Sequence, residues 1–312
     1  MSDTFFSGAP HWTWFIIPYF FVGGLAGGAA FLAAVLDWFG SPEDRPVVRT
    51  GHNVAAVGAI LSGLLLTIDL GKPLRFWHML FQSENLPAIM FKAWSPISFG
   101  AWAILLFGLC SVLSVLGARA DEGRLQSAVL RPVGGMIRGG VAKLVSGLGG
   151  LLGIFVAGYT GVLLSVTNRP IWADSPWLGA LFVASGASTG AATLILLGPR
   201  RGATEQAVHR LSAFDTRALV VELLILVLFL VSLGSVNRVW LSFWGLLLVV
   251  GVIGLGILVP LGLHVKPTSF GGLAARPIAN AAKLVLLGGF LLRLATMLAS
   301  EGIERYRVAA GI

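Results

Sequence analysis

The chain has 312 residues, 56% of them hydrophobic and 12% charged, with a formal net charge of +8. Soluble domains carry about 25% charged residues, so this composition excludes an ordinary soluble protein and points to a polytopic membrane protein. The basic residues lie between apolar segments, where they set membrane topology, so the positive charge is not a nucleic-acid signature.

Eight apolar segments read as membrane spans: residues 14–36, 54–70, 97–116, 146–166, 178–197, 218–236, 240–263 and 281–299. The stretch before the first span lacks the positive n-region of a signal peptide, the first lysine or arginine of the chain being Arg45, so span one is expected to be retained as a helix. In span one, Gly23, Gly24, Gly27 and Gly28 form two overlapping G-x-x-x-G pairs, which let a neighbouring backbone approach closely. Span five carries Gly186 and Gly190 in SGASTGAA. At an offset of 162 residues Gly24 overlies Gly186 and Gly28 overlies Gly190, which suggests a parallel repeat of four helices plus four. Chance recurrence of small-residue motifs is the alternative.

The loops 1–2, 3–4, 5–6 and 7–8, with adjoining helix ends, hold fourteen Lys and Arg against seven on the opposite side. That bias predicts both termini outside. Eight of the tryptophans, among them Trp77, Trp94 and Trp172, then fall near the outer boundary, as in an interfacial belt. The expected fold is an all-α integral membrane protein, with eight transmembrane helices in two four-helix bundles. Residues 1–145 hold spans one to three and the basic loop 3–4. Residues 146–177 add span four and an outer loop to complete the first bundle, and residues 178–312 form the second.

The single cysteine, Cys110, excludes an intrachain disulfide, a thiolate zinc site and a cysteine-ligated iron–sulfur cluster. His11 and His78 fall at outer ends and His52, His209 and His264 at or near inner ends, so facing mid-membrane haem ligands are not expected. The polar chemistry concentrates in residues 67–80, TIDLGKPLRFWHML, at the mouth of span two. Ionisable groups at such a place are costly to desolvate and mark function. Gly71 and Pro73 end span two, and residues 74–81 read as a short interfacial helix with Arg75 and His78 on one face. Asp69 reads either as a proton acceptor or as the partner of Lys72 or Arg75 in a pinned loop. Tyr19 lies about 10 Å along span one from Trp12. Tyr159 sits in the outer half of span four, with Asn168 and Arg169 at its mouth. Tyrosine is amphipathic, and each of these alone is compatible with a purely structural role. Glu222, about one turn into span six, and Arg293, deep in span eight, read either as steps of a proton path or as groups paired with polar neighbours.

Four motifs in order, HWTWFIIPYFFVGGLAGGAA at 11–30, LTIDLGKPLRFWHML at 66–80, WSPISFGAW at 94–102 and GYTGVLLSVTNRPIW at 158–172, resemble the NrfD/polysulfide reductase membrane subunits. The second half resembles that family mainly in hydropathy and in SGASTGAA. The resemblance implies a metal-free membrane subunit of a modular respiratory oxidoreductase in the cytoplasmic (inner) membrane of a bacterium or archaeon. It implies a quinone, menaquinone or ubiquinone, bound near the outer face, and no haem or iron–sulfur cluster in this chain. It implies two partners outside: a ferredoxin-like iron–sulfur subunit and a molybdopterin-type catalytic subunit. By motif, Tyr19, Lys72, Arg75, Trp77, Tyr159, Asn168 and Arg169 become candidates for holding the headgroup, and Asp69 and His78 for moving its protons. Some relatives have histidine where this chain has Tyr19, so a histidine-based step does not carry over. Reducing a quinone takes two electrons and two protons, so donors such as Tyr19 or His78 and a titratable relay such as Asp69 and His78 suit that chemistry. A secondary transporter and a purely structural membrane anchor are the competing readings.

Overall fold

The structure is a computed structural model that describes residue 12, residues 14–265 and residues 275–310. His11 and Lys266 lie outside the described residues. The described residues are helical apart from turns and one isolated bridge, Phe81 to Ile89. Seven helices are long and apolar enough to cross a membrane, and the pair Glu205–Ser232 with Gly234–Leu241, bent by 109°, makes an eighth if taken as one span.

Span one (Ile16–Phe39) packs on spans two (Arg45–Asp69), four (Gly139–Ser165) and five (Leu178–Leu197). It can touch so many neighbours because its glycines face them. A Cβ at Gly27 would meet the Gly153 backbone of span four, and one at Gly28 the Gly186 backbone of span five. On span two, a Cβ at Gly58 would meet Ala26 and one at Gly51 would meet Ala33. In a bilayer, where lipid is as apolar as leucine, such close approach is what holds helices together. The two glycine motifs that align in sequence therefore touch in space: Gly186 abuts Gly24, and Gly190 abuts Gly28.

Span three (Pro96–Asp121) closes a ring with spans two and four. The second ring is spans five, six (Glu205–Ser232), seven (Phe243–Leu246, Leu247–Leu258 and Val259–Val265) and eight (Ala275–Ala310). The middle stretch of span seven is π-helical, and its Gly256 lies against Gly288 of span eight.

Spans two and six start well before their apolar segments. Span two begins at Arg45 rather than residue 54 and has 25 residues. Its first turns are polar, so hydropathy stops short, but they are internally satisfied. Thr50 donates to the Pro46 carbonyl, Asn53 donates to the Arg49 carbonyl, and Arg45 and Arg49 pair with Asp37 and Glu122 at 3.0 and 2.7 Å. Span six begins at Glu205 rather than residue 218, with Thr204 capping it by accepting from the Ala207 N–H. It ends at Ser232, and Gly234, at φ 54, turns the chain into the 3₁₀ segment Gly234–Leu241. Polar extensions of this kind stand beyond the bilayer core, which about 20 residues suffice to cross.

The helix ends at the arginine-rich side are tied by ion pairs. Asp44, buried, accepts from the Ser41 N–H and hydroxyl and from Arg210 of span six at 2.7 Å. Arg138 pairs with Asp121 across loop 3–4, which holds the short helix Leu130–Met136.

Candidate functional site

At the opposite end of the first ring, span two finishes at Asp69, which is half-buried. Gly71, at φ 32, turns the chain into a 3₁₀ helix, Pro73–Met79, where the sequence predicts an α-helix over 74–81. The tighter winding suits a proline start and a short run, and residues three apart eclipse in it, so Arg75 and His78 do share a face. Lys72 and Arg75 are exposed, whereas Trp77 and His78 are half-buried, their rings 3.9 Å apart edge to face. The following loop is pinned to span three. Trp102 Nε1 donates to the Met90 carbonyl at 2.9 Å, and the Lys92 N–H donates to Ser98 Oγ. Asp69, Lys72, Arg75, Trp77 and His78 thus gather as a rim at the end of span two, Lys72 and Arg75 exposed and the other three half-buried.

Beneath the rim lies a buried floor. Tyr19 is 3% exposed and Tyr159 8%. They come from adjoining spans, one and four. Tyr159 donates to the Pro96 carbonyl at 2.8 Å, and its ring fills the space that a side chain at Gly100 would need. Ser62 of span two is 1% exposed, and its hydroxyl has no hydrogen-bond partner among the described residues. A Cβ on Gly23 would be 3.5 Å from Ser62 Oγ, 3.6 Å from the Tyr19 ring and 3.7 Å from Val156, so these groups meet around one glycine. Ser62 lies two helical turns below Asp69, about 10 Å.

Span four leads into a rigid loop. Asn168 is exposed, but Arg169 is buried, its guanidinium 5.1 Å from the Trp172 ring centre. Trp172 stacks on Trp12 at 5.4 Å and donates to the Thr296 carbonyl of span eight at 2.8 Å. Between them Ile171 is held at φ 72, strained for a β-branched residue, by full burial and by its N–H donating to Asp174. Arg169 therefore belongs to the seam between the rings, apart from the exposed Asn168.

The second ring holds a buried polar series. Arg293 donates from Nε to the Phe20 carbonyl at 3.2 Å and from one terminal nitrogen to Ser185 Oγ at 2.9 Å and the Gly289 carbonyl at 2.8 Å. Its other terminal nitrogen donates to the Phe182 carbonyl at 3.4 Å. Glu222 of span six is buried, 4% exposed. Glu222 lies 17 residues into span six (222 − 205), about 25 Å rather than one turn from its start, because the helix begins at Glu205. Seven residues nearer that start, Asp215 is fully buried, accepts from Ser188 at 2.6 Å and stands 3.9 Å from His264 of span seven. Thr216 Oγ1 is 3.2 Å from His264 Nδ1. Ser62, Ser185, Ser188, Asp215 and His264 escape sequence reasoning. Two signals in the sequence point to some of them: the seven-residue spacing of Asp215 and Glu222, which shares a helix face, and the three-residue spacing of Ser185 and Ser188. Among the described residues, no three or more His, Cys, Asp or Glu are grouped to hold a metal ion.

The family model for polysulphide reductase, NrfD, matches residues 4–303. The protein is 28% identical over 273 residues to the C subunit of polysulfide reductase from Wolinella succinogenes, covering 81% of this chain and 83% of that one. It is 29% identical over 271 residues to the protein NrfD homolog of Haemophilus influenzae, covering 80% and 82% of the two chains. It is 30% identical over 316 aligned positions to protein NrfD of Escherichia coli, covering 93% and 95%. With a family match over nearly its whole length and a multi-pass helical fold, the chain belongs to the NrfD/polysulphide reductase family of membrane subunits.

Proposed function

We propose that this chain is the quinone-reactive membrane subunit of a respiratory oxidoreductase in a bacterial or archaeal cytoplasmic membrane, with the rim facing outside. The observation that carries the reading is the buried, unpartnered Ser62 hydroxyl beside Tyr19, beneath a rim that holds Asp69 and His78. A buried donor without a partner costs about 1–3 kcal/mol, a cost that a ligand carbonyl relieves. A quinone there would supply a two-electron, two-proton couple. Ser62 and Tyr19 donate to a headgroup carbonyl, and the apolar walls of the first ring take the tail. Asp69 and His78, reached by water, exchange the protons. Lys72 and Arg75, both exposed, present positive charge to an iron–sulfur partner that connects to a molybdopterin-type catalytic subunit.

In this reading residues 1–177 handle the quinone, and residues 178–312 carry protons from the arginine-rich side. His264, Asp215 and Glu222 are the titratable steps, with Ser188 and Ser185 between them. Arg293 acts as a fixed cation rather than a relay, since four of its five N–H groups are committed to protein acceptors. The same commitment leaves little for a transported solute to bind, which disfavours the transporter reading. The test uses the purified complex. Quinol-driven reduction of the partner clusters should fall at least tenfold in Ser62→Ala, Asp69→Asn and His78→Ala while the complex stays assembled. Unchanged turnover in all three would refute the assignment.

A further inference from the structure

The arginine-rich end contains a cavity of about 920 Å³, remote from the rim and from the buried series. It lies between the ends of spans two and three and the turn Pro199–Arg201. Gly202, at φ 88, a value glycine adopts freely, closes that turn and sets Arg200 and Arg201 side by side. Five arginines line the cavity, Arg49, Arg119, Arg124, Arg200 and Arg201, against one carboxylate, Glu122, so its walls carry 5 − 1 = +4. Glu122 is already engaged by Arg49 at 2.7 Å and Arg124 at 3.2 Å. Arg119, Arg200 and Arg201 form no ion pair among the described residues, and all three are exposed. Like charges gathered in one concavity repel unless an anion lies among them.

The chemistry of the anion follows from what adjoins the cavity. Asn53 lines it, and above Asn53 the same face of span two continues through Val57, Ile60, Leu61 and Leu64, each exposed by 45% or more. A cationic pocket opening onto an apolar track suits a lipid: phosphates in the pocket, acyl chains along the helix. A wall charge of +4 exceeds what one phosphodiester neutralises, and the lining has no aromatic platform for a nucleobase. We propose that this cavity binds an anionic phospholipid carrying two phosphodiesters, of the diphosphatidylglycerol class, with Arg119, Arg200 and Arg201 as its principal phosphate contacts. Basic pockets at helix ends recognise such headgroups by charge and by the forked geometry of guanidinium.

The experiment is native mass spectrometry of the delipidated full chain, titrated separately with diphosphatidylglycerol, phosphatidylethanolamine and inorganic pyrophosphate. The expected result is one diphosphatidylglycerol per chain, bound at least tenfold more tightly than phosphatidylethanolamine and not displaced by equimolar pyrophosphate. Arg200→Gln/Arg201→Gln should weaken it by roughly 30-fold, at about a fivefold loss per arginine. Arg200→Lys/Arg201→Lys, which keeps the charge but loses the guanidinium fork, should bind between the wild type and the glutamine pair. Should the glutamine pair fold poorly, Arg119→Gln alone should lose about fivefold. Binding of phosphatidylethanolamine with equal affinity would overturn the proposal, as would unweakened binding by the folded glutamine variants. Displacement by equimolar pyrophosphate would overturn it in favour of a soluble anion.

Discussion

Replacing Arg293 with methionine keeps the aliphatic stem and removes the guanidinium from the point where spans one, five and eight meet. The lost hydrogen bonds run to the carbonyls of Phe20, Phe182 and Gly289 and to Ser185 Oγ. All three carbonyls lie within helices, so each bond to arginine is a second acceptance, worth at most about 0.5–1.5 kcal/mol. Four lost hydrogen bonds at that range give a predicted destabilisation of about 2–6 kcal/mol. Glu222 of span six is likewise buried, at 4% exposed, and forms no ion pair with Arg293 among the described residues. Glu222→Gln should cost less, because an amide fills the same space and leaves the arginine its four acceptors. The double variant should recover about 1–3 kcal/mol relative to the sum of the singles. Denaturant unfolding of the four proteins in detergent micelles, followed by tryptophan fluorescence, measures this cycle. A coupling within about 0.5 kcal/mol of zero would refute the argument that Glu222 balances the buried guanidinium.

Gly28→Ala sets a Cβ against the Gly186 backbone, with the carbonyl carbon at 2.7 Å, which only a separation of spans one and five relieves. It should cost about 1–3 kcal/mol and lower the melting midpoint, whereas Gly63→Ala, with nothing within 4 Å, should be neutral or stabilising. Equal midpoints for the two variants would contradict the close-packed seam. Tyr159→Phe removes the hydrogen bond to the Pro96 carbonyl, so it should cost about 0.5–1.5 kcal/mol while Tyr159→Ala, which empties the space beside Gly100, costs several times that in the same assay.

The first glycine motif is legible as a packing surface because G-x-x-x-G states its own purpose in a bilayer. Its partner is legible too, through SGASTGAA, although the alignment of the two motifs implies equivalence rather than contact. Hydropathy misplaces the starts of spans two and six, both at the arginine-rich end, for one reason. It measures transfer to lipid, and a polar helix whose groups bond to one another and to neighbouring helices needs no lipid. The same error puts Asp215 in a loop and Glu222 near a surface. Ser62 stays invisible because a serine in an apolar run is usually satisfied by its own helix, as Thr67 is here by the Gly63 carbonyl.

Residue order alone determined the membrane class, the all-helical fold and the gathering of Asp69, Lys72, Arg75 and His78 at one helix mouth, because each rests on composition or on short-range spacing, and it carried the family through the resemblance of four motifs. Tertiary structure decided which of those groups are exposed and that the Ser62 hydroxyl is buried near Tyr19. It also decided that Arg293 is a bolt between helices and that Asp215, Glu222 and His264 form one series. Those outcomes depend on which helix faces meet, and residues far apart in the chain, such as Gly28 and Gly186, choose the faces through backbone contacts that no local pattern encodes.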